Sequence, residues 1–218
     1  MNLPPLVLSV RRDGSPSSPR PTNKQEHSEL LELHKRAFAR DKYACVYCGF
    51  SSPQHQRLLY IDGDLSHRTV DNVATVCPLC HQVLHIDEAG RNDGGSIILC
   101  PELTQVELNL LIYGMWVWSE EGGEYAEYAE QAYVHLEDRS FEADARYGRA
   151  IRDPSMLAEI LRDMPAKQYD SRGIFLKDLR LLPARDRFAK HLAYWKENVF
   201  PRWPRESWGA LQAKFLPN

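Results

Sequence analysis

Four cysteines in two close pairs constrain this chain more than any other feature. They are Cys45-Val46-Tyr47-Cys48 and Cys77-Pro78-Leu79-Cys80, with His81 directly after the second pair. Two C-x-x-C knuckles bring four thiolates tetrahedrally onto one ion at about 2.3 Å, the geometry of a closed structural zinc site. Fortuitous pairs and redox pairs are the competing readings. One zinc ion (Zn2+) held by Cys45, Cys48, Cys77 and Cys80 accounts for the spacing best. The fifth cysteine, Cys100, ends the apolar run Ser96-Ile97-Ile98-Leu99 and reads as a small buried hydrophobe. A disulfide framework favours wider spacing in a small secreted chain, so this usage indicates a reducing compartment.

Composition narrows the function classes. The chain has 218 residues, 43% of them hydrophobic, which is enough for a packed core. Its net charge of -3 lacks the basic excess that phosphate neutralisation asks of a free-standing nucleic-acid-binding domain. No apolar run reaches the roughly 18 residues of a membrane span. The apolar piece Leu6-Val7-Leu8 has no basic region before it and does not read as a signal peptide.

Periodicity and punctuation predict the elements. Leu3 to Val10 reads as a short strand, and the Pro- and Ser-rich stretch from Asp13 to Pro21 as a mobile linker. Ser28 to Arg40 is helical, with Leu30, Leu33, Ala37 and Phe38 on one face. Arg57 to Ile61 suits a strand, Asp62-Gly63 a turn, and Thr69 to Val76 a return into the second knuckle. Gly90 to Gly95 reads as a loop and Ile97 to Leu99 as a strand. The second half is helical. Pro101-Glu102 reads as the start of a helix whose two apolar stripes, Leu103-Val106-Leu110-Tyr113-Val117 and Leu108-Leu111-Met115-Trp118, imply burial on two faces. One or two helices span Tyr125 to Arg149. Another follows Asp153-Pro154, with Met156, Leu157, Ile160 and Leu161 inside. Pro183 opens a last one through Trp195.

The frame around the cysteines carries a first resemblance. Arg40-Asp41 precedes the first pair, Gly49 follows it, and Ile61-Asp62-Gly63 and Asp71-Asn72-Val73 lead into Cys77-x-x-Cys80-His81. This resembles an HNH-type zinc-finger nuclease domain, which implies a β-hairpin and helix around a catalytic metal. In that family the first strand ends in a metal ligand and a general base, an Asn orients the base, and a last His binds the metal. Here the strand-end pair is Leu59-Tyr60. Leu59 has no ligating atom, and a tyrosine phenol near pKa 10 is a poor base. Asn72 and His81 remain. Asp62-Gly63-Asp64 reads as turn chemistry, and His81 and His85 share a helical face without an evident third ligand. The frame therefore reads as an HNH fold without catalytic residues. An active endonuclease with a rearranged site of Asp62, Asp64, His67, Asn72 and His81 is the alternative. A nucleic-acid-binding zinc module using Arg180, Arg185, Arg187 and Lys190 is a third, though Asp178 and Asp186 interrupt that cluster. The predicted fold is α+β, mostly α. Residues 1–26 form a short strand and linker, 27–100 an HNH-like ββα zinc module, 101–200 a helical region packed on it, and 201–218 a Trp- and Pro-rich tail.

A second, more specific resemblance runs across most of the chain. Its residues are Arg40-Asp41-Lys42-Tyr43, Cys45-x-x-Cys48-Gly49-Phe50, Asp62-Gly63-Asp64, Asn72-Val73-Ala74-Thr75 and Cys77-x-x-Cys80. Beyond these come Pro101-Glu102-Leu103-Thr104-Gln105-x-Glu107-Leu108-Asn109, Leu179-Arg180-Leu181-Leu182-Pro183-x-Arg185, Phe188 and Trp195. Together they resemble the IcmJ/DotN family of the Dot/Icm type IVB secretion coupling complex. The resemblance implies a zinc-bearing, non-catalytic adaptor that binds an extension of the coupling ATPase and other coupling-complex subunits to help recruit substrates. It implies a cytoplasmic place, peripheral to the inner membrane through those partners, with no insertion of its own and no nucleic-acid partner. Trp116, Trp118, Trp203 and Trp208 are candidates for a peptide groove, against the default of core packing.

Overall fold

The computed structural model describes residues 3–148 and 150–202. The first regular element is α1 (Lys24–Arg40). Asn23 caps it by accepting from the Glu26 amide at 2.9 Å, and the Glu26 carboxylate reaches back to the Thr22 amide at 2.9 Å. Such side-chain acceptors satisfy amides that a first helical turn leaves open. The cap places the start one turn before Ser28. Leu30, Leu33 and Ala37 are buried along one face.

A hairpin lies beneath that face. β1 (Arg57–Tyr60) pairs antiparallel with β2 (Val73–Val76), Arg57 opposite Val76 and Tyr60 opposite Val73. Alternation along β1 sends Leu58 and Tyr60 to Leu33 and Ala37 of α1, and Leu59 to the opposite face and the main core. Arg40 and Asp41 fasten the layers. The Arg40 guanidinium donates to the Val73 carbonyl at 2.7 Å, and the Asp41 carboxylate accepts from the Thr75 amide at 2.9 Å. α2 (Pro78–Leu84) starts directly after β2 with Pro78 at its first position, where a missing N–H costs nothing. α3 (Ile86–Arg91) follows.

β3 (Gly95–Leu99) meets its partner only after a long helical excursion. That excursion comprises α4 (Gln105–Glu121), α5 (Glu124–Tyr147), α6 (Pro154–Asp163), α7 (Ala166–Asp170) and α8 (Arg172–Phe175). β4 (Leu179–Pro183) then pairs antiparallel with β3, Ile97 opposite Leu181. The strands approach so closely at Gly95 that a Cβ there would sit 2.2 Å from the Leu182 carbonyl oxygen. α9 (Ala189–Asn198) closes the regular structure. Among the described residues the fold is thus α+β and mostly α, with two small two-stranded sheets. No helix among them is long and apolar enough to cross a membrane.

The main core joins both halves of the chain. Phe50, from the first knuckle, stacks on Tyr113 of α4 at 4.0 Å and meets Trp195 of α9 edge-on at 5.1 Å. Trp195 Nε1 donates to Ser52 Oγ at 3.1 Å. Stacked and edge-to-face rings of this kind add to the burial of their large apolar area.

Several expectations are corrected. Leu3 to Val10 is no strand. Its Ser9 amide donates to the Val83 carbonyl and its Ser9 carbonyl accepts from the Ile86 amide, so it is held by helix ends rather than by a ladder. Pro101-Glu102 lies in a turn. α4 begins later, at a capping box in which Thr104 and Glu107 satisfy each other's amides. Leu103 therefore precedes that helix, and Leu110, Leu111, Val117 and Trp118 are only half-buried. Gly90 and Arg91 belong to α3, and Gly95 to β3. Met156 and Ile160 are exposed, while Leu157 and Leu161 are buried. Pro183 ends β4 instead of opening a helix. Trp203 and Trp208 lie outside the described residues.

Candidate metal centre

The two knuckles converge from different local structures. Cys45 and Cys48 flank a tight turn: the Cys45 amide donates to the Phe50 carbonyl and the Gly49 amide to the Cys45 carbonyl, both at 2.9 Å. Gly49 takes φ 74°, a left-handed conformation that favours glycine. Cys77 is the N-cap of α2, and its sulfur accepts from the Cys80 amide at 3.4 Å. The Val46 amide bonds the Thr75 carbonyl at 2.9 Å and docks the first knuckle onto β2.

The four sulfurs lie within 4.8 Å of one another. A tetrahedral site with zinc–sulfur bonds of about 2.3 Å has sulfur–sulfur edges of about 3.8 Å. Cys48 Sγ and Cys77 Sγ are 3.6 Å apart, so the residues fit such an ion. Among the described residues this is the one group of three or more His, Cys, Asp or Glu that converges in this way. Cys45, Cys77 and Cys80 are buried and Cys48 is half-buried. Hydrogen bonds from Cys48, Cys77 and Cys80 pull the Cys45 thiol far down. Burial pushes Cys77 up, and contacts with Cys45 and Cys48 push Cys80 up. A divalent cation is what lets such thiols ionise together.

A polar relay backs the cluster. Asn109 Nδ2 donates to Cys80 Sγ at 3.3 Å, and Gln105 Nε2 donates to Asn109 Oδ1 at 3.0 Å. Gln105 also exchanges both its amide groups with the backbone of Leu181 in β4, at 2.9 Å each. Gln105 and Asn109 are both buried. Outer partners of this type orient metal ligands and tune their affinity. Sequence reasoning gave them no role. The one signal was two amides four residues apart near the start of a mainly apolar helix.

The nuclease positions are dispersed. Leu59 is buried in the main core. Tyr60 is buried under α1, its hydroxyl has no hydrogen-bond partner among the described residues, and burial raises its phenol. Asp62, His67 and Asn72 do meet, at the exposed tip of the hairpin. Asp62 Oδ2 lies 2.6 Å from His67 Nδ1, and Asn72 Nδ2 donates to Asp62 Oδ1 at 2.8 Å. Those bonds, His67 first, hold Asp62 at about 2. Asp64 bonds Ser66 instead. His81 is elsewhere. It lies on α2 beside His85, ring centroids 4.5 Å apart, near the Arg57 end of β1. Asp62 lies five positions beyond Arg57, past the end of β1, a span of about 16 Å at 3.3 Å per extended residue. Burial holds His81 well below the usual range and His85 at about 4.

The other sequence candidates are likewise placed. Arg185 pairs with Glu120 and Glu130, and Arg187 with Asp93. Arg180 donates to the Leu103 carbonyl. The three arginines are thus spent on internal partners. Trp116 is 1% exposed and belongs to the core, not to a groove. Trp118 is half-buried beside Tyr125. Cys100 is buried as expected.

No family model matches the chain. Among curated proteins it is similar to the type 4 apparatus protein DotN of Legionella pneumophila subsp. pneumophila (strain Philadelphia 1). The two are 29% identical over 184 residues, which cover 83% of this chain and 86% of that protein. The chain is thus similar, over most of its length, to a type 4 apparatus protein, DotN.

Proposed function

We propose that this chain is a zinc-stabilised, non-catalytic adaptor of a type IVB secretion coupling complex. It binds a segment of the coupling ATPase and other coupling-complex subunits and helps recruit substrates. The observation that carries the reading is the similarity to DotN over 83% of the chain. On this reading the protein works in the cytoplasm and reaches the inner membrane only through its partners.

Cys45, Cys48, Cys77 and Cys80 are the ligands of one structural zinc ion. Bound zinc supplies a cross-link and no reaction. It ties the first knuckle to the start of α2 and so fixes the hairpin between them. The order β1, β2, α2 beside that ion supports an HNH-like module over residues 27–100, with 101–200 packed on it. The module lacks catalysis because Leu59 and Tyr60 are spent on packing, and because the tip cluster of Asp62, His67 and Asn72 has no share in His81.

The test is affinity purification of the full tagged chain from its native host, with mass spectrometry of what accompanies it. Recovery of the coupling ATPase, retained at moderate salt, is the expected result. Recovery of the chain alone, or with nucleic acid, would overturn the adaptor role.

A further inference from the structure

The four cysteines of the cluster are not equivalent. Cys45, Cys77 and Cys80 are 3%, 0% and 0% exposed, whereas Cys48 is half-buried. Three of the sulfurs accept from an N–H. Cys45 accepts from the Cys48 amide, Cys77 from the Cys80 amide at 3.4 Å, and Cys80 from Asn109 Nδ2 at 3.3 Å. Among the described residues Cys48 has no such donor, and its Sγ faces Cys77 Sγ at 3.6 Å. The chain leaves free space directly after it: a Cβ added at Gly49 would have no atom within 4 Å.

Those differences bear on one kind of reaction. Four thiolates on one divalent ion carry more negative charge than the ion neutralises. An N–H bonded to a sulfur draws some of that charge away and makes it a weaker nucleophile. Burial puts a sulfur out of a reagent's reach. Cys48 lacks the first protection and has the least of the second. The fifth cysteine, Cys100, is no competitor, since it is 0% exposed and burial pushes its thiol up.

We infer that Cys48 is a modification site, the sulfur at which soft electrophiles and peroxides attack the cluster and loosen its hold on the metal. The inference rests on the zinc reading of the four cysteines and is independent of the secretion reading. With a maleimide, the Cys48 sulfur bonds to one alkene carbon, the other alkene carbon takes a proton from water, and the bond from Cys48 to the ion breaks. With hydrogen peroxide, the Cys48 sulfur attacks the O–O bond and becomes a sulfenic acid as hydroxide leaves. Cys77, 3.6 Å away, then attacks that sulfur and expels a second hydroxide as the disulfide forms. Two thiolates give up two electrons, and peroxide with two protons from solvent becomes two waters. The cluster, with two of its four thiolates gone, releases the ion.

Elemental analysis of the full chain as purified comes first, and a chain without zinc would overturn the zinc reading itself. The zinc-loaded chain is then treated with substoichiometric N-ethylmaleimide and, separately, with hydrogen peroxide. A chromophoric chelator reads released zinc, and peptide mass spectrometry reads which cysteine has reacted. The expected result is modification of Cys48 ahead of the other four cysteines, zinc release in step with it, and a Cys48–Cys77 disulfide after peroxide. Cys48→His keeps a zinc ligand and should release zinc at least about tenfold more slowly. If that variant fails to load, the order of modification in the unsubstituted chain decides alone. First modification at any other cysteine, an even spread, no modification by either reagent, or unchanged release from Cys48→His would overturn the proposal. So would a disulfide that lacks Cys48 or Cys77.

Discussion

Asn109 of α4 donates its side-chain amide to Cys80 Sγ at 3.3 Å, across 29 residues of sequence. The bond couples the helical half of the chain to the cysteine cluster, and Gln105 extends it to β4. The cysteine cluster and the second sheet therefore share one buried polar relay. Asn109→Leu should weaken zinc affinity by about 10- to 100-fold, the usual effect of losing an outer partner. Competition with a chromophoric chelator reads it directly. An unchanged affinity would leave the relay a packing feature only.

Removal of a cysteine from the cluster should act on folding. Cys80→Ser is expected to abolish stoichiometric zinc, measured by elemental analysis, and to lower the melting temperature and solubility. The cause is that metal binding in such a site contributes folding free energy. Unchanged stability without bound zinc would remove the structural role assigned to the ion.

Gly95→Ala tests the second sheet. Its Cβ would meet the Leu182 carbonyl oxygen at 2.2 Å, and backbone has little freedom to retreat. Destabilisation of about 1–3 kcal/mol, the usual cost of overpacking, is expected in urea unfolding. A neutral result would show that β3 and β4 can separate without loss.

His85 gives the fold an acid sensitivity. Burial lowers its pKa from 6.5 to about 4, so the unfolded chain binds its proton first. The stability that a neutral His85 contributes is complete above about pH 6.5 and is lost as pH falls toward 4, at up to about 1.4 kcal/mol per pH unit. His85→Gln should flatten that limb of the stability profile. An identical slope in the variant would assign the sensitivity to other groups, His191 first.

Plasmid DNA incubated with the protein and magnesium, manganese or nickel should remain intact. Leu59 and Tyr60 are buried in packing, and His81 stands away from the Asp62–His67–Asn72 cluster. Cleavage that disappears in His81→Ala would reverse the non-catalytic reading.

Local pattern alone makes much of this protein legible. The spacing of Cys45, Cys48, Cys77 and Cys80 forecasts their convergence, because two-residue knuckles leave thiols few other ways to meet. The period of α1, the hairpin and the long α4 are equally readable, since amphipathicity and turn chemistry act over a few residues. Tertiary contact decides the rest. Leu179 to Pro183 carries no local sign of its partner, and it is a strand only because Gly95 to Leu99 lies beside it. Leu3 to Val10 has strand composition but finds helix ends in place of an edge. Trp116 goes to the core because Phe188 packs against it, at 5.3 Å. The Gln105–Asn109 relay joins Cys80 to Leu181, residues far apart in sequence. Its chemistry depends on burial and on which neighbours consume each donor, and only the folded chain sets both.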